Sequence, residues 1–487
     1  LLSASHKIAR AERFGSVEPL GPWRARAAAR LLGRTPVVAM IATSIVGVIA
    51  AKLVLTHHPR VALALFGVVV AGVLVLLEPA IGVLAYYVLA FMRPHETLWG
   101  LGNTRFTLLL SVFTLGATAL HFALRPNLGF LWRKQTIFIC LLWLFLHLSS
   151  QRHEIGPDQV RWLDYYNKMF LIYFVTLALL NSERWLWWLA WVIAVSIGYL
   201  AIWANQMYFI EGWATVHGPG KRGATYFDEN DFAMILGAVI PFCWYLIGAS
   251  KHLAVRAAML GLLVLAAHGV MVTFSRGGFL GLAVSAAVLL LRMKRRGLAV
   301  LIACAAIGGF VSVTGPRYAA RMLTITNYEE DKSATGRLDS WRTGGRMMAA
   351  NPIFGVGFKR YVAEYPNYGK THAREAHNSW VQLGAECGLI AVSSHLALVA
   401  LTIAALVRVR RRLPLLPEES RKKSEALAGM YEASLLGYLV TGFFLSMEDF
   451  EFFYLLVAMA QILDRVTEER VLAREAAGES AGGLVSA

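Results

Sequence analysis

Three cationic or titratable side chains stand where a short polar segment meets a long apolar one. Arg276 lies in Phe274-Ser275-Arg276-Gly277-Gly278, Arg222 in Lys221-Arg222-Gly223-Ala224-Thr225-Tyr226, and His377 in Glu375-Ala376-His377-Asn378-Ser379. Burying an ionisable group at membrane depth costs ~2–3 kcal/mol or more, so each is a candidate for function. Arginine pairs two N–H groups with phosphate oxygens and keeps its charge when partly desolvated. A diphosphate held this way leaves more readily, because negative charge grows on it in the transition state. A histidine that titrates near neutrality can take the proton of an attacking hydroxyl. Two arginines and a histidine together fit glycosyl transfer from a polyprenyl-diphosphate donor. Each residue also has a plainer reading. Arg276 would anchor a span by snorkelling, Arg222 would flank one, and His377 would precede a helix capped by Asn378 or Ser379.

The elements that must position these residues are membrane spans. The chain has 487 residues, of which 57% are hydrophobic and only 16% charged, with a mean hydropathy of +0.53. A soluble domain carries about 25% charged residues. The apolar residues come in blocks at 36–55, 61–77, 79–92, 105–124, 136–150, 168–181 and 186–208. Further blocks follow at 232–249, 256–274, 278–292, 298–314, 379–407, 428–446 and 450–464. The fold class expected is all-α, a polytopic integral membrane protein of about 12–14 transmembrane helices with one long loop. Cys140, Cys243, Cys304 and Cys387 lie in or beside these blocks without metal-ligand spacing and read as packing residues.

The net charge of +16 is not spread over the chain. Arg292, Lys294, Arg295 and Arg296 form one cluster, and Arg408, Arg410, Arg411, Arg412, Arg421, Lys422 and Lys423 another. Short basic segments between apolar blocks are the mark of cytoplasmic loops, so nucleic acid is not an expected partner. With the basic N-terminus inside, the loops 125–135, 182–185, 250–255, 292–297 and 408–427 fall inside too, as does the C-terminal tail. The segments 93–104, 151–167, 209–231, 275–277, 315–378 and 447–449 fall outside, with Arg222, Arg276 and His377 among them. The organisation expected is a basic cytoplasmic segment 1–35, N-terminal spans over 36–200, a core over 201–464 and a cytoplasmic tail over 465–487. The 315–378 loop is long and rich in cations, including Arg337, Arg342, Arg346 and Lys359. It reads either as a solvated face or as a basic vault suited to a phosphate-bearing headgroup, with a helix near 337–350 lying at the interface.

No P-loop, dinucleotide fingerprint or kinase motif is present. Asp228-Glu229-Asn230-Asp231 offers oxygen ligands, but four adjacent residues cannot all face one ion, and this run reads better as a helix start. Neither a cofactor nor a metal is expected, and an enzyme working outside without ATP needs a pre-activated donor.

At these residues the sequence resembles the O-antigen ligase superfamily of ligases, polymerases and protein O-oligosaccharyltransferases. The stretches that carry the resemblance are Ser275-Arg276-Gly277-Gly278-Phe279-Leu280-Gly281, Asn351-Pro352-Ile353-Phe354-Gly355-Val356-Gly357 and His377-Asn378-Ser379-Trp380-Val381-Gln382-Leu383. The last runs on to Glu386-Cys387-Gly388-Leu389-Ile390, with Ala391 where the family usually has glycine. Phe91-Met92-Arg93-Pro94-His95 and Trp99-Gly100 look like the subgroup associated with exosortase A. The resemblance implies about twelve spans, a periplasmic catalytic vault, and a multi-pass protein of the bacterial inner membrane. It implies that Arg222 and Arg276 bind an undecaprenyl diphosphate and that His377 activates or positions an acceptor hydroxyl on lipid A core or protein. Arg337, Arg342, Tyr226, Asn230 and Asn378 are the expected substrate-binding neighbours, and membrane lipids the expected surroundings. A polymerase of the same superfamily and a transporter or flippase are the alternatives.

Overall fold

The computed structural model describes residues 52, 67, 70, 72–92, 106–124, 129–131, 133–219, 226–313, 332–369 and 372–485. The expected segment 1–35, the span at 36–55, much of that at 61–77, and Arg93, Pro94, His95, Trp99 and Gly100 lie outside the described residues. Every extended element among the described residues is a helix. In chain order these are α1 (Pro79–Met92), α2 (Phe106–Leu124), α3 (Lys134–Ser150), α4 (Pro157–Leu179), α5 (Glu183–Phe209), α6 (Glu229–Ala249) and α7 (Leu253–Val272). They continue with α8 (Arg276–Leu291), α9 (Arg296–Val313), α10 (Lys332–Ala350), α11 (Tyr361–Tyr368), α12 (Ser379–Arg412), α13 (Glu418–Gly442) and α14 (Glu451–Val485). α5, α6, α7 and α12 are long and apolar enough to cross a membrane, and α1, α3 and α8 are shorter apolar helices. The chain is an all-α membrane protein.

Helix ends differ from apolar-block ends for a physical reason. The block at 168–181 sits in a helix that begins at Pro157, so Asp158, Arg161 and Asp164 occupy its first two turns. A helix propagates through polar residues once nucleated, and proline at the first position suits its start. The long segment 315–378 is likewise not an open loop over its described part, because α10 and α11 occupy it. The expected helix at 337–350 is present and starts earlier, at Lys332.

The chain divides into two compact units, one of residues 1–133, 174–192 and 469–487 and one of 134–173 and 193–468. In the first, Tyr87 shares a hydrogen bond with Thr176, and Arg470 pairs at 2.9 Å with the buried Glu183. The second holds all the described candidate residues. Its centre is α6, which packs on α7, α8 and α13, and the first half of α14, whose residues 450–464 are buried on every side. A helix apolar all round is one enclosed by others.

Close approach of α8 to α13 depends on Gly281. A Cβ there would lie 2.0 Å from Thr441 Oγ1 and 2.8 Å from the Gly437 carbonyl oxygen. Gly278 likewise faces the Ala233 methyl of α6. The glycines after Arg276 therefore seat α8 against two neighbours and fix where its first residue stands.

Candidate active site

Two of the sequence motifs dock onto each other through their backbones. α12 is broken at Gly388, where φ is +84°. A side chain at that position would meet the Ile353 carbonyl oxygen at 2.2 Å, so the left-handed turn and the tight contact both require glycine. The break takes carbonyls out of the helical ladder, and the 351–357 segment supplies their donors. Val356 N–H donates to Ala385 O at 2.8 Å and Gly357 N–H to Glu386 O at 3.1 Å. In return, Leu389 N–H donates to Pro352 O at 2.8 Å. Ser149 of α3 adds a bond from its hydroxyl to Glu386 O at 2.7 Å.

The Glu386 carboxylate extends this joint. It accepts from Lys359 N–H at 3.0 Å, Tyr361 N–H at 3.2 Å and Gln382 Nε2 at 2.6 Å. Lys359 sits at φ +53° and sends its ammonium to Glu448 at 3.0 Å and Asp449 at 3.2 Å. The same ammonium lies 4.4 Å from the centre of the Trp162 ring. Burial works against the Lys359 charge, but Asp449 and Glu448 outweigh it and hold the ammonium well above its ordinary pKa. Burial pushes the Glu448 carboxyl up to about 7, with Lys359 opposing and Asp449 reinforcing the shift.

Gln382 then reaches from this joint to the histidine. Its Oε1 accepts the Ala376 N–H at 3.0 Å, while the Trp341 indole of α10 donates to Ala376 O at 2.8 Å. Asn378 caps α12, its Oδ1 accepting from Trp380 N–H and Val381 N–H and its Nδ2 donating to Phe443 O. Between these two pinned residues His377 adopts φ +48°. A left-handed conformation costs a non-glycine residue ~1–3 kcal/mol and persists only where its surroundings enforce it. Here the surroundings are a glutamine, a tryptophan and a helix cap. Among the described residues none hydrogen-bonds the imidazole. Burial lowers its pKa below the ordinary value of 6.5, and Arg337 and then Arg374 act in the same direction against Glu375 and Asp228. That direction favours the neutral imidazole, the form that accepts a proton.

His377 lines a cavity of about 690 Å³. α4 contributes Asp158, Arg161, Trp162 and Tyr165, and the entry to α6 contributes Phe227, Asp228, Glu229 and Asp231. Lys359, Glu375 and Glu386 come from the 351–386 stretch, and Glu448 and Asp449 from the turn before α14. These parts belong to four of the segments expected outside (151–167, 209–231, 315–378 and 447–449) together with the start of α12. None comes from a segment expected inside.

The described part of the lining is acidic, while Lys221, Arg222, Arg317, Arg321 and Lys370 lie outside the described residues. Eight carboxylates face Arg161, Lys359 and His377. Arg342 and Arg346 of α10 point elsewhere for a simple reason: its helical period turns them outward while Ser340, Thr343 and Met347 face the core. Arg342 is exposed and pairs at 3.5 Å with Asp339, and Arg346 donates to Tyr368 O. Arg337 alone of these acts on His377.

The other expected residues fall as follows. Arg222 lies outside the described residues. Arg276 is half-buried at the first position of α8, beside the cavity lining rather than in it. Ser275 caps that helix by accepting from Gly278 N–H, and donates its hydroxyl to Asn230 at 2.7 Å. Asn230 in turn donates to Asp228, so it ties the Arg276 turn to the cavity rim. Phe274, two residues before Arg276, has φ +56°. Tyr226 is buried, with its ring edge-on to Phe450. Sequence reasoning counted Lys359 among the loop cations without seeing its carboxylate partners, and gave no site role to Trp341 or the Glu448-Asp449 pair. The pair had a readable signal, since two carboxylates in a three-residue turn between apolar blocks satisfy the same rule that singled out Arg276.

The all-α membrane protein thus holds, in a polar cavity lined by helix ends and turns, a histidine in a left-handed conformation with no hydrogen-bond partner among the described residues. Residues 261–396 match the family model described as O-antigen ligase. That segment contains both Arg276 and His377. No curated protein matches the chain.

Proposed function

We propose that this protein transfers a glycan from an undecaprenyl-diphosphate carrier to an acceptor hydroxyl at the periplasmic face of the bacterial inner membrane. The observation that carries the reading is His377, held in a left-handed turn inside the cavity, where burial and Arg337 lower its pKa. In the proposed step the acceptor hydroxyl gives its proton to His377 as its oxygen bonds to the anomeric carbon. The bond from that carbon to the diphosphate breaks, and undecaprenyl diphosphate leaves with the electron pair. Arg276, Arg222 and Arg337 are the cations that balance the charge growing on the diphosphate. The gathering of four segments expected outside at one cavity supports the choice of face.

The test is a deletion strain complemented with wild type, Arg276→Ala or His377→Ala, with lipid-linked glycan as the readout. Losing the base costs ~10²–10⁴-fold in rate, so both mutants are expected to accumulate undecaprenyl-linked chains that wild type clears. Full clearance by both mutants overturns the reading. Single repeats left on the acceptor, in place of accumulated chains, identify a polymerase.

A further inference from the structure

His377 is held through Ala376, and Ala376 is held by an amide that could face either way. A primary amide offers an oxygen that accepts and a nitrogen that donates, and the two can change places without a change of shape. Gln382 Oε1 accepts the Ala376 N–H at 3.0 Å and the Ser446 hydroxyl at 3.3 Å, while its Nε2 donates to Glu386 Oε1 at 2.6 Å. Turned over, the amide would set its NH₂ against the Ala376 N–H and its oxygen against a carboxylate. Both contacts would then repel.

Glu386 is the group that settles the direction. Its Oε2 accepts from Lys359 N–H, and its Oε1 from Tyr361 N–H and Gln382 Nε2. An ionised carboxylate only accepts, so all three donors are satisfied at once. An amide in its place must turn an NH₂ toward at least one of them. Three donors on a side chain 3% exposed suit a fixed anchor, not a base that must meet a substrate hydroxyl. Lys359 steadies the anchor in turn, with its ammonium held by Glu448 and Asp449. A line of bonds therefore runs from the 448–449 turn through Lys359, Glu386 and Gln382 to the residue before the histidine.

Resting on the transfer reading above, we propose that Glu386 is a positioning residue for His377. It sets the direction of the Gln382 amide, and through it the left-handed turn that carries the imidazole into the cavity.

Two variants test this. Glu386→Gln keeps the shape of the anchor but not its three acceptances. Gln382→Glu brings two carboxyl groups to hydrogen-bond distance, where they share one proton. With that proton in place the new carboxyl group still donates to Glu386 and still accepts from Ala376. Without it the two carboxylates repel, and Lys359 is the cation beside them, with Glu448 and Asp449 behind it. The readouts are clearance of undecaprenyl-linked glycan per folded molecule in the complemented deletion strain, at acid, neutral and alkaline medium pH, and carbethoxylation of His377 by diethyl pyrocarbonate in the purified full-length protein. Glu386→Gln is expected to slow clearance ~10²-fold, as a misplaced catalytic group does, and to raise His377 modification several-fold as the half-buried ring is released. The clearance by Gln382→Glu, as a ratio to wild type at each pH, is expected to fall as pH rises. Wild-type clearance by Glu386→Gln overturns the proposal, as does a ratio for Gln382→Glu that does not change with pH. Lost clearance with His377 modified at the wild-type rate also overturns it, and makes Glu386 the base. If wild type itself clears no glycan, the transfer reading falls, and His377 modification alone decides whether Glu386 positions the ring.

Discussion

The two ends of α12 handle charge in opposite ways. At its last turns Arg408 makes a bidentate pair with Asp464, Arg412 meets the same carboxylate at 2.6 Å, and Arg410 grips Glu432 with two bonds. Arg292, just after α8, reaches Glu432 as well at 2.6 Å. Asp464 is 2% exposed and has two arginine partners, so its charge is fully answered. At its first turns the same helix borders a cavity with a carboxylate excess, an orphan oxygen on Glu448 and a histidine in a strained backbone. Both ends hold ionised groups out of water. Satisfied pairs make one end a structural clasp, while unsatisfied groups leave the other in need of a ligand.

This contrast breaks first at the clasp. Asp464→Asn removes the carboxylate that Arg408 and Arg412 share, but Arg408 is 40% exposed and Arg412 keeps Glu468 at 3.6 Å, so the cost falls below the ~3–5 kcal/mol of a fully buried pair. The expected outcome is a lower unfolding temperature in detergent, with unchanged turnover per folded molecule. His377→Ala is expected to do the reverse, abolishing transfer while unfolding no earlier than wild type. A similar stability loss in both would erase the distinction.

A smaller effect is expected at the clamp behind the histidine. Trp341→Phe keeps the ring but removes the bond to Ala376 O, worth ~1 kcal/mol. Turnover is expected to fall several-fold with little change in acceptor KM, because the ring is misplaced rather than removed. An unchanged turnover number would show that Gln382 and Asn378 hold the turn alone.

The smallest effect is electrostatic. Because His377 has a depressed pKa, the acid limb of the pH–rate profile is expected below the usual histidine range, with activity rising as pH increases through it. Arg337 contributes to that depression. Arg337→Gln therefore raises the pKa, moves the limb to higher pH and leaves less neutral imidazole at a given pH. A limb that stays in place would mean that burial alone sets it.

How much of this was legible in the sequence depends on the range of the signal. Apolar blocks located α5, α6, α7 and α12 because a membrane helix announces itself locally. Position relative to those blocks picked out His377 and Arg276, and the 351–357 and 386–390 motifs were visible as glycine patterns. Their docking was not, because backbone bonds between Val356 and Ala385 leave no side-chain signature. The acid wall was hidden for a different reason. Its carboxylates come singly or in pairs from segments far apart in the chain, whereas the basic residues of α10 are close together and gave a louder signal. Asn378 and Asn230 look like ligand-binding amides in sequence, and only the fold shows one capping α12 and the other bonded to Ser275.

The break at Gly388 also bears on how the protein is made. It lies nine residues into α12, ~14 Å along a helix long and apolar enough to cross a membrane, where lipid would offer no hydrogen bonds to an interrupted ladder. α12 alone would enter the bilayer with the carbonyls of Ala385 and Glu386 unanswered. The donors that answer them are on Val356 and Gly357, which precede α12 in the chain. Synthesis from the N-terminus therefore delivers the wedge before the helix that needs it.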